Sequence, residues 1–533
     1  MLRNHFPAHH EPRDQQAEAL EILENSDKKF FIFEMPTGSG KSDIGYTVCA
    51  ASGGHILTPF NTLAEQYMRD FEEFGLVDLK GKSHYHDDPD GPDCLTASAS
   101  QNNHEVRCTA YYPRLRQFLG SGMSITNYAN FLSHPKWPHR SWLVLDEGHN
   151  IESQILNIAG NVLTPSECAS KYGLTLPIFK RSNEAQAREW LQAEYLRALA
   201  KRLDEIRSQL QQYKDAGDIP ANDEANAKKL AKEQDAISRR QTAINVMLLG
   251  DREDWFLASD WKWDKNKGSG NLIIKPLNCA PYASKLFSRA EKILIMSGTI
   301  LSPDVFVKTL GIDPARIEFH AWNSSFPVAN RPIHYQPIGK MTYPCLRQCR
   351  SNGCCQKQTL PRMVKRVVEI VASYPNVKGI VHTQSYQINE CFAGALIKAG
   401  FGLRVITHKN SEGRAEAEEL HRADNADPTV LLSPGMTEGL DLVDELSRFQ
   451  IITKVPYPFW GDLYIQARKG RSEEWYDWVT AVTLIQASGR SVRSMSDHAD
   501  TFILDASFES FISKRDVRRL FPVWWLDAIE DLR

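Results

Sequence analysis

Residues 31–42 read Phe31-Ile32-Phe33-Glu34-Met35-Pro36-Thr37-Gly38-Ser39-Gly40-Lys41-Ser42. An apolar run gives way to small residues and closes on Gly-Lys-Ser. That order suits a buried strand feeding a phosphate-cradling loop and then a helix. Glycines let backbone N–H groups converge on an anion, and the helix dipole adds positive potential behind them. Thr37, Gly38, Ser39 and Gly40 would form the cradle, Lys41 would reach the outer phosphates, and the Ser42 hydroxyl would ligate Mg²⁺. Met35 stands where the general pattern has its first glycine. The bland alternative is a Gly/Ser turn between a strand and a helix, and it weakens as partners accumulate downstream.

The first partner is Ser141-Trp142-Leu143-Val144-Leu145-Asp146-Glu147-Gly148-His149, a strand ending in two carboxylates. Acids at the end of a core strand beside a phosphate loop are placed to hold a metal ion and activate water. Upstream, Arg13-Asp14-Gln15-Gln16 opens an amphipathic helix carrying Ala17, Leu20 and Leu23. Gln16 could present its amide to an adenine edge, or be an ordinary exposed helix residue. Further on, Lys292–Met296 reads as a strand ending in Ser297-Gly298-Thr299.

These residues need a scaffold that brings strand ends together. After the loop, His55–Pro59 reads as a strand and Thr62–Tyr67 as a helix with an apolar side continuing to Phe71 and Phe74. That is the β-α repeat of a doubly wound sheet. Residues 80–112 carry no period and read as an insertion. Leu196, Leu199, Leu203, Ile206 and Leu210, then Leu230, Ile237 and Ile244, recur at helical steps around a Gly217–Pro220 break. They predict a helical hairpin with charged outer faces. The first sheet is expected to resume near Asn271–Ile274. A second β/α series follows, with strands at 378–383, 403–406, 429–432, 449–452 and 501–504.

Composition sets outer bounds. A chain of 533 residues with 42% hydrophobic and 24% charged residues accommodates several cores. A net charge of −3 announces no global basic field, so a polyanion would need a local groove. No apolar run approaches bilayer length and no signal-peptide core opens the chain, so a cytoplasmic location is expected. The ten cysteines are then thiols or metal ligands rather than disulfides.

Taken in order, the motifs resemble those of superfamily 2 helicases of the DinG/XPD type. They are Glu34–Ser42, Asp146–His149, Ser297–Thr299, Thr437-Glu438-Gly439-Leu440-Asp441 and Gln486-Ala487-Ser488-Gly489-Arg490-Ser491-Val492-Arg493. Arg13 and Gln16 match the family's adenine-reading pair, and Val455–Pro458 resembles the stretch before the last motif. The resemblance implies an α/β fold of two RecA-like parallel-sheet lobes with ATP between them. Two insertions, one irregular and one a helical arch, would interrupt the first lobe. The first lobe would occupy 1–79, 113–160 and 266–328, the irregular insertion 80–112, the arch 161–265 and the second lobe 329–533. Asp146 would hold Mg²⁺, Glu147 would deprotonate the attacking water, and His149 would couple that motif to Gln486. Arg490 and Arg493 would reach across as arginine fingers, with Gly439 and Asp441 on the nucleotide. Family DNA contacts fall at Thr58, Phe60, Thr383, Ser385, Tyr386 and Trp460, the last two as candidate base stackers.

Relatives carry four cysteines for an iron–sulfur cluster between the loop and the acidic motif. Residues 80–112 hold only Cys94 and Cys108, so the insertion reads as vestigial and the cluster as absent. His84, His86 and His104 could supplement the cysteines around zinc, at no regular finger spacing. Cys345, Cys349, Cys354 and Cys355 are candidate zinc ligands, weighed against an unliganded surface loop. Arg13 stands close to the N-terminus, so no N-terminal nuclease domain is expected.

The resemblance implies an ATP- and Mg²⁺-dependent helicase moving 5′ to 3′ on single-stranded DNA and opening forked duplexes. A monomer recruited by a larger nucleoprotein complex is expected, in the host cytoplasm if phage-encoded. Repair, phage and CRISPR-associated contexts all occur among such proteins. The rivals are a translocase that strips proteins or RNA from DNA without processive unwinding, and an ATP-gated DNA-binding scaffold with negligible turnover.

Overall fold

The computed structural model describes the chain apart from residues 135–136, 217–218, 220–222, 261–269, 343–358, 411–412, 424–427, 436–441, 443, 490, 493–495 and 531–533. Its strands, in chain order, begin with β1 (Phe30–Glu34), β2 (Gly54–Thr58), β3 (Val77–Asp78), β4 (Met123–Asn127) and β5 (Arg140–Leu145). Next come β6 (Asn161–Leu163), β7 (Trp255–Ser259), β8 (Leu272–Pro276), β9 (Ala290–Ser297) and β10 (Ile317–Ala321). The last seven are β11 (Ile333–Gly339), β12 (Gly379–His382), β13 (Val405–Thr407), β14 (Val430–Ser433), β15 (Phe449–Ile452), β16 (Asp500–Asp505) and β17 (Ile529–Glu530).

They form two seven-stranded sheets, ordered β10-β1-β9-β5-β2-β4-β3 and β13-β14-β12-β15-β16-β11-β17, and a three-stranded sheet β6-β8-β7. Every pairing in the two large sheets is parallel. β1 and β2 are buried along their whole length, as a parallel sheet covered on both faces requires. Period-two alternation sorts the first sheet's residues between two cores. Ile32, Leu57, Leu143, Leu145, Ile293 and Ile295 face one, and Phe31, Phe33, Ile56, Val144, Leu294 and Met296 face the other. The two sheets with their flanking helices are the RecA-like lobes, an α/β fold.

The segment Asn271–Ile274 corrects the expectation that it rejoins the first sheet. β8 pairs antiparallel with β6 and β7 instead. Its alternate residues Leu272, Ile274 and Pro276 are buried while Ile273 and Lys275 are half-exposed, the pattern of a sheet covered on one face. Leu272 and Ile274 share a core with Leu199, Leu203, Ile206, Leu230, Ile237 and Ile244 of the helices Leu196–Ala216 and Glu224–Leu249. The small sheet is thus the footing of the helical hairpin.

The insertion at 80–112 contains two short helices, Cys94–Ser100 and His104–Arg107. Asp93 caps the first by accepting from Thr96 N at 2.9 Å, and pairs with Lys228 of the hairpin at 3.5 Å. Asn102 donates to the Lys214 carbonyl at 2.8 Å, so the insertion braces the hairpin.

The lobes share a core. Trp475, Tyr476, Trp478 and Val482 on the helix Glu473–Ser488 bury against Ile155, Ile300, Val305 and Phe306 of the first lobe. Each such side chain contributes on the order of 1.5–3 kcal/mol of apolar transfer. The indoles of Trp478 and Trp475 donate to the Ile300 carbonyl at 2.7 Å and to Glu152 at 2.8 Å. Arg468 pairs with the same Glu152 and lies 4.3 Å from the Trp475 ring centre. Among the described residues, no helix is long and apolar enough to cross a membrane.

Candidate nucleotide site between the lobes

β1, β9 and β5 lie side by side, so the phosphate loop, Ser297–Thr299 and Asp146–His149 emerge from neighbouring carboxyl ends, where open α/β sheets bind ligands. β9 stitches the other two together. Met35 N donates to the Ser297 carbonyl at 2.9 Å, and His149 meets the Ser297 hydroxyl at 2.8 Å.

The loop turns through Gly38 and Gly40 at φ of 77° and 76°, the left-handed region. A Cβ on Gly40 would also fall 2.0 Å from the Gln16 amide nitrogen, so glycine is required twice over. Gln16 is buried. Its amide donates to the Gly40 carbonyl at 3.0 Å and to Asp43 at 2.9 Å, and it accepts from Arg13 N at 2.9 Å. The Arg13 guanidinium donates to the Gly38 carbonyl. In this structure the pair braces the loop from behind. Lys41 Nζ donates to the Met35 and Pro36 carbonyls at 3.1 and 3.3 Å. Thr37 and Gly38 are exposed. The Ser39 hydroxyl is buried with no hydrogen-bond partner among the described residues. An orphaned hydroxyl, a side-chain-free turn and a lysine at a helix start together fit a polyphosphate.

Asp146 is buried. It accepts from the Tyr67 hydroxyl and from Glu147 N, both at 2.9 Å. Ser42 is within hydrogen-bonding reach of the same Tyr67 hydroxyl. Tyr67 therefore links the two candidate Mg²⁺ ligands, and their hard oxygen donors fit that ion. Tyr67 was not among the sequence candidates; its only signal was a tyrosine on the buried face of the helix Asn61–Phe71. Burial first, then the neighbouring Glu147 charge, pushes the Asp146 carboxyl up to about 6, while Lys41 and Tyr67 pull it back.

Glu147 sits at φ 47°, a left-handed conformation uncommon for a residue with a side chain. Asn150 Nδ2 donates to His149 Nε2 at 3.0 Å, which leaves Nδ1–H to donate to Ser297 Oγ. His149 Nδ1 is also 3.4 Å from the Glu147 carboxylate. Gly148 admits this turn: a Cβ there would lie 2.3 Å from Ile295 Cγ2, on a core strand. Gly148→Ala is expected to cost about 1–3 kcal/mol through overpacking. Urea unfolding of the variant beside the parent checks it, and an unchanged midpoint refutes it.

Across the cleft, Gln486 Nε2 donates to Thr299 Oγ1 at 2.6 Å. Thr37, Glu147 and Thr299 from one lobe line the same cavity as Arg331, Gln486, Gly489 and Trp524. Arg331 is anchored, donating to the Phe326 carbonyl at 3.3 Å and the Trp524 carbonyl at 2.6 Å. Arg490, Arg493, Gly439 and Asp441 lie outside the described residues, as do Cys345, Cys349, Cys354 and Cys355.

The candidate DNA contacts follow the carboxyl ends of β2, β12 and β15 and divide by exposure. Thr58 and Thr383 are buried and hydrogen-bond within their own lobes, to the Phe60 carbonyl and to Asn389, both at 3.0 Å. Ser385 caps the helix Tyr386–Leu396. Phe60, Tyr386 and Trp460 are exposed, with Lys469 Nζ 5.1 Å from the Trp460 ring centre.

A family model described as "Helicase C-terminal domain" matches residues 367–528, and one described as "Type III restriction enzyme, res subunit" matches residues 9–175. These two matches, one towards each end of the chain, support the resemblance to a DinG/XPD-type superfamily 2 helicase. The fold agrees. A solved structure named "XPD_Helicase" aligns over 96% of this chain and 98% of its own, at 17% identity and a TM-score of 0.65. Another, "XPD_APO", aligns over 95% and 98% at 17% identity and 0.59. The S. tokodaii protein Xpd4 aligns over 95% and 99% at 14% identity and 0.52. No curated protein matches the sequence. Helicases of this kind are ATP-dependent hydrolases that act on nucleic acid, with ATP and Mg²⁺ as the family's cofactors.

Proposed function

We propose that this helicase hydrolyses ATP between its lobes to move along single-stranded DNA, 5′ to 3′, and separates forked duplexes. The observation that carries the reading is the Gln486–Thr299 hydrogen bond across the cleft, beside Glu147 and the phosphate loop. It ties the second lobe to a strand end that touches both the loop and His149, so a change at the nucleotide is felt where the lobes meet.

In this reading Lys41 and the loop N–H groups bind the outer phosphates, and Ser42 and Asp146 hold Mg²⁺, which neutralises charge on the phosphates. Glu147 takes the proton of the attacking water, with its carboxylate oriented by His149. Arg490 and Arg493 supply cations from the opposite wall to the transferring phosphoryl. The boundaries at 79, 112, 160 and 328 divide the chain, with the helical insertion running on past 265 through β8, and Phe60, Tyr386 and Trp460 stack bases, at about 1–3 kcal/mol each. The protein acts as a monomer recruited by a larger nucleoprotein complex.

ATP turnover measured with and without single-stranded DNA, beside strand displacement on 5′-tailed and 3′-tailed duplexes, tests the proposal. DNA-stimulated turnover with displacement of the 5′-tailed duplex alone is expected. Stimulated turnover without displacement assigns a translocase instead, and DNA binding with negligible turnover assigns a scaffold.

A further inference from the structure

We infer that Asp87, Cys94, His104 and Cys108 form a tetrahedral Zn²⁺ site that staples the 80–112 insertion. Although no regular finger spacing relates them, these four residues converge so that one ligand atom from each lies within 4.8 Å of all the others. Cys94 Sγ and Cys108 Sγ are 3.8 Å apart, and His104 Nδ1 is 3.6 Å from Asp87 Oδ2. Two thiolates at about 2.3 Å from one tetrahedral ion stand about 3.8 Å apart. The spacing is far too long for a disulfide, whose sulfurs lie about 2.05 Å apart.

An iron–sulfur cluster, the group such insertions hold in relatives, does not fit these residues. A cubane takes four thiolates, each on a different iron, so their sulfurs stand much farther apart than sulfurs sharing one ion. Here two thiols, one imidazole and one carboxylate crowd around a single point. That donor set and geometry suit zinc.

The surroundings support metal ligation. Cys94, His104 and Cys108 are buried. His104 Nε2 has no hydrogen-bond partner among the described residues, so nothing in the hydrogen-bond network commits the ring elsewhere. Asp87 Oδ1 accepts from Thr109 N and Ala110 N at 2.9 Å each, and Cys108 Sγ accepts from Tyr112 N at 3.5 Å. Such outer bonds fix ligand orientation. His86 is spent on the Gly91 carbonyl at 3.2 Å and stays outside the group. The ligands sit on a turn and two short helices, too little chain for a core of its own, where a bound ion is an effective staple. On binding, both thiols release their protons and coordinate as thiolates. Because Asp93 directly precedes Cys94 and pairs with Lys228, the ion would also steady the footing of the hairpin.

The test is metal analysis of the full-length protein purified without a metal-affinity tag, with Co²⁺ substitution of the same sample. About one Zn²⁺ per chain is expected at this site. The Co²⁺ form should show the thiolate charge-transfer and ligand-field bands of a tetrahedral site with two sulfurs. Cys94→Ser/Cys108→Ser should remove one equivalent and those bands, and His104→Gln should weaken binding at least tenfold with both thiols intact. Retained ATP binding reports that a variant is folded, and the Co²⁺ spectrum of the unaltered protein stands without any variant. A brown iron–sulfur chromophore, a Cys94–Cys108 disulfide, no metal at all, or zinc that survives both substitutions would each overturn the assignment.

Discussion

Glu147→Gln is expected to lower ATP turnover by about 10²–10⁴-fold, the usual worth of a positioned general base. Nucleotide affinity should stay within a few-fold of the parent. Glu147 lines the cleft shared by the lobes rather than the loop itself, and its backbone is held at φ 47° beside a hydrogen-bonded imidazole. Glutamine keeps the size and polarity of that side chain but cannot accept the proton, so kcat should fall while KM barely moves. Lys41→Ala should behave differently. Its ammonium lies over the loop that cradles the phosphates, so both binding and turnover should be lost. Phosphate release, run beside titration with a non-hydrolysable nucleotide, separates the two variants. If Glu147→Gln retains more than a tenth of parental turnover, Glu147 is not the base.

Most of the scaffold was legible because two periods dominate the chain. Strands buried on both faces read as continuous apolar runs, and the hairpin leucines fell at helical steps. The error at Asn271–Ile274 came from reading an apolar run as a lobe strand. Lys275 was the cue to the contrary, since a charged side chain on alternate positions marks a sheet with one wet face. Leu403 and Arg404 read as strand yet form a turn before β13. Arg404 folds inward and donates to the Pro428, Tyr374 and Val377 carbonyls, bonds that no local pattern reveals.

The site was legible as motifs but not as a network. Spacing pointed to Ser42 and Asp146, and the family motifs to Gln486, whereas Tyr67 between the first two, the bond from Gln486 to Thr299 and the bond from Asn150 to His149 exist only through the fold. The same limit hid Asp87: His104 already stood beside Cys94 and Cys108 as a zinc candidate, but the carboxylate joins them only when the insertion folds. Glu152 and Arg468 are a further case. They lie on different lobes, and each reads as an ordinary surface charge until burial against Trp475 pairs them.

Asp146→Asn is expected to abolish turnover and, in metal-free protein, to raise stability at neutral pH by on the order of 3 kcal/mol. The Asp146 carboxyl titrates near 6 in the folded chain against 3.8 when free, chiefly because burial penalises its charged form and Glu147 repels it. The folded state therefore holds this proton more tightly than the unfolded one. Its contribution is favourable below about pH 4, erodes as pH rises, and has become a full penalty above about pH 6. Asparagine carries no charge at any pH and removes the penalty. One amide oxygen can still accept from Glu147 N, and its NH₂ can donate to the Tyr67 hydroxyl in place of the bond now made there. Urea midpoints in EDTA at pH 7.5 and pH 4.5 should show the variant ahead by about 3 kcal/mol at the first and by only about 1 kcal/mol at the second. Added Mg²⁺ should then narrow the gap at pH 7.5, because the ion favours the ionised carboxylate that only the parent has. A variant no more stable than the parent at pH 7.5 would mean that Asp146 is not held against its own charge. The strain at this strand end would then need another source.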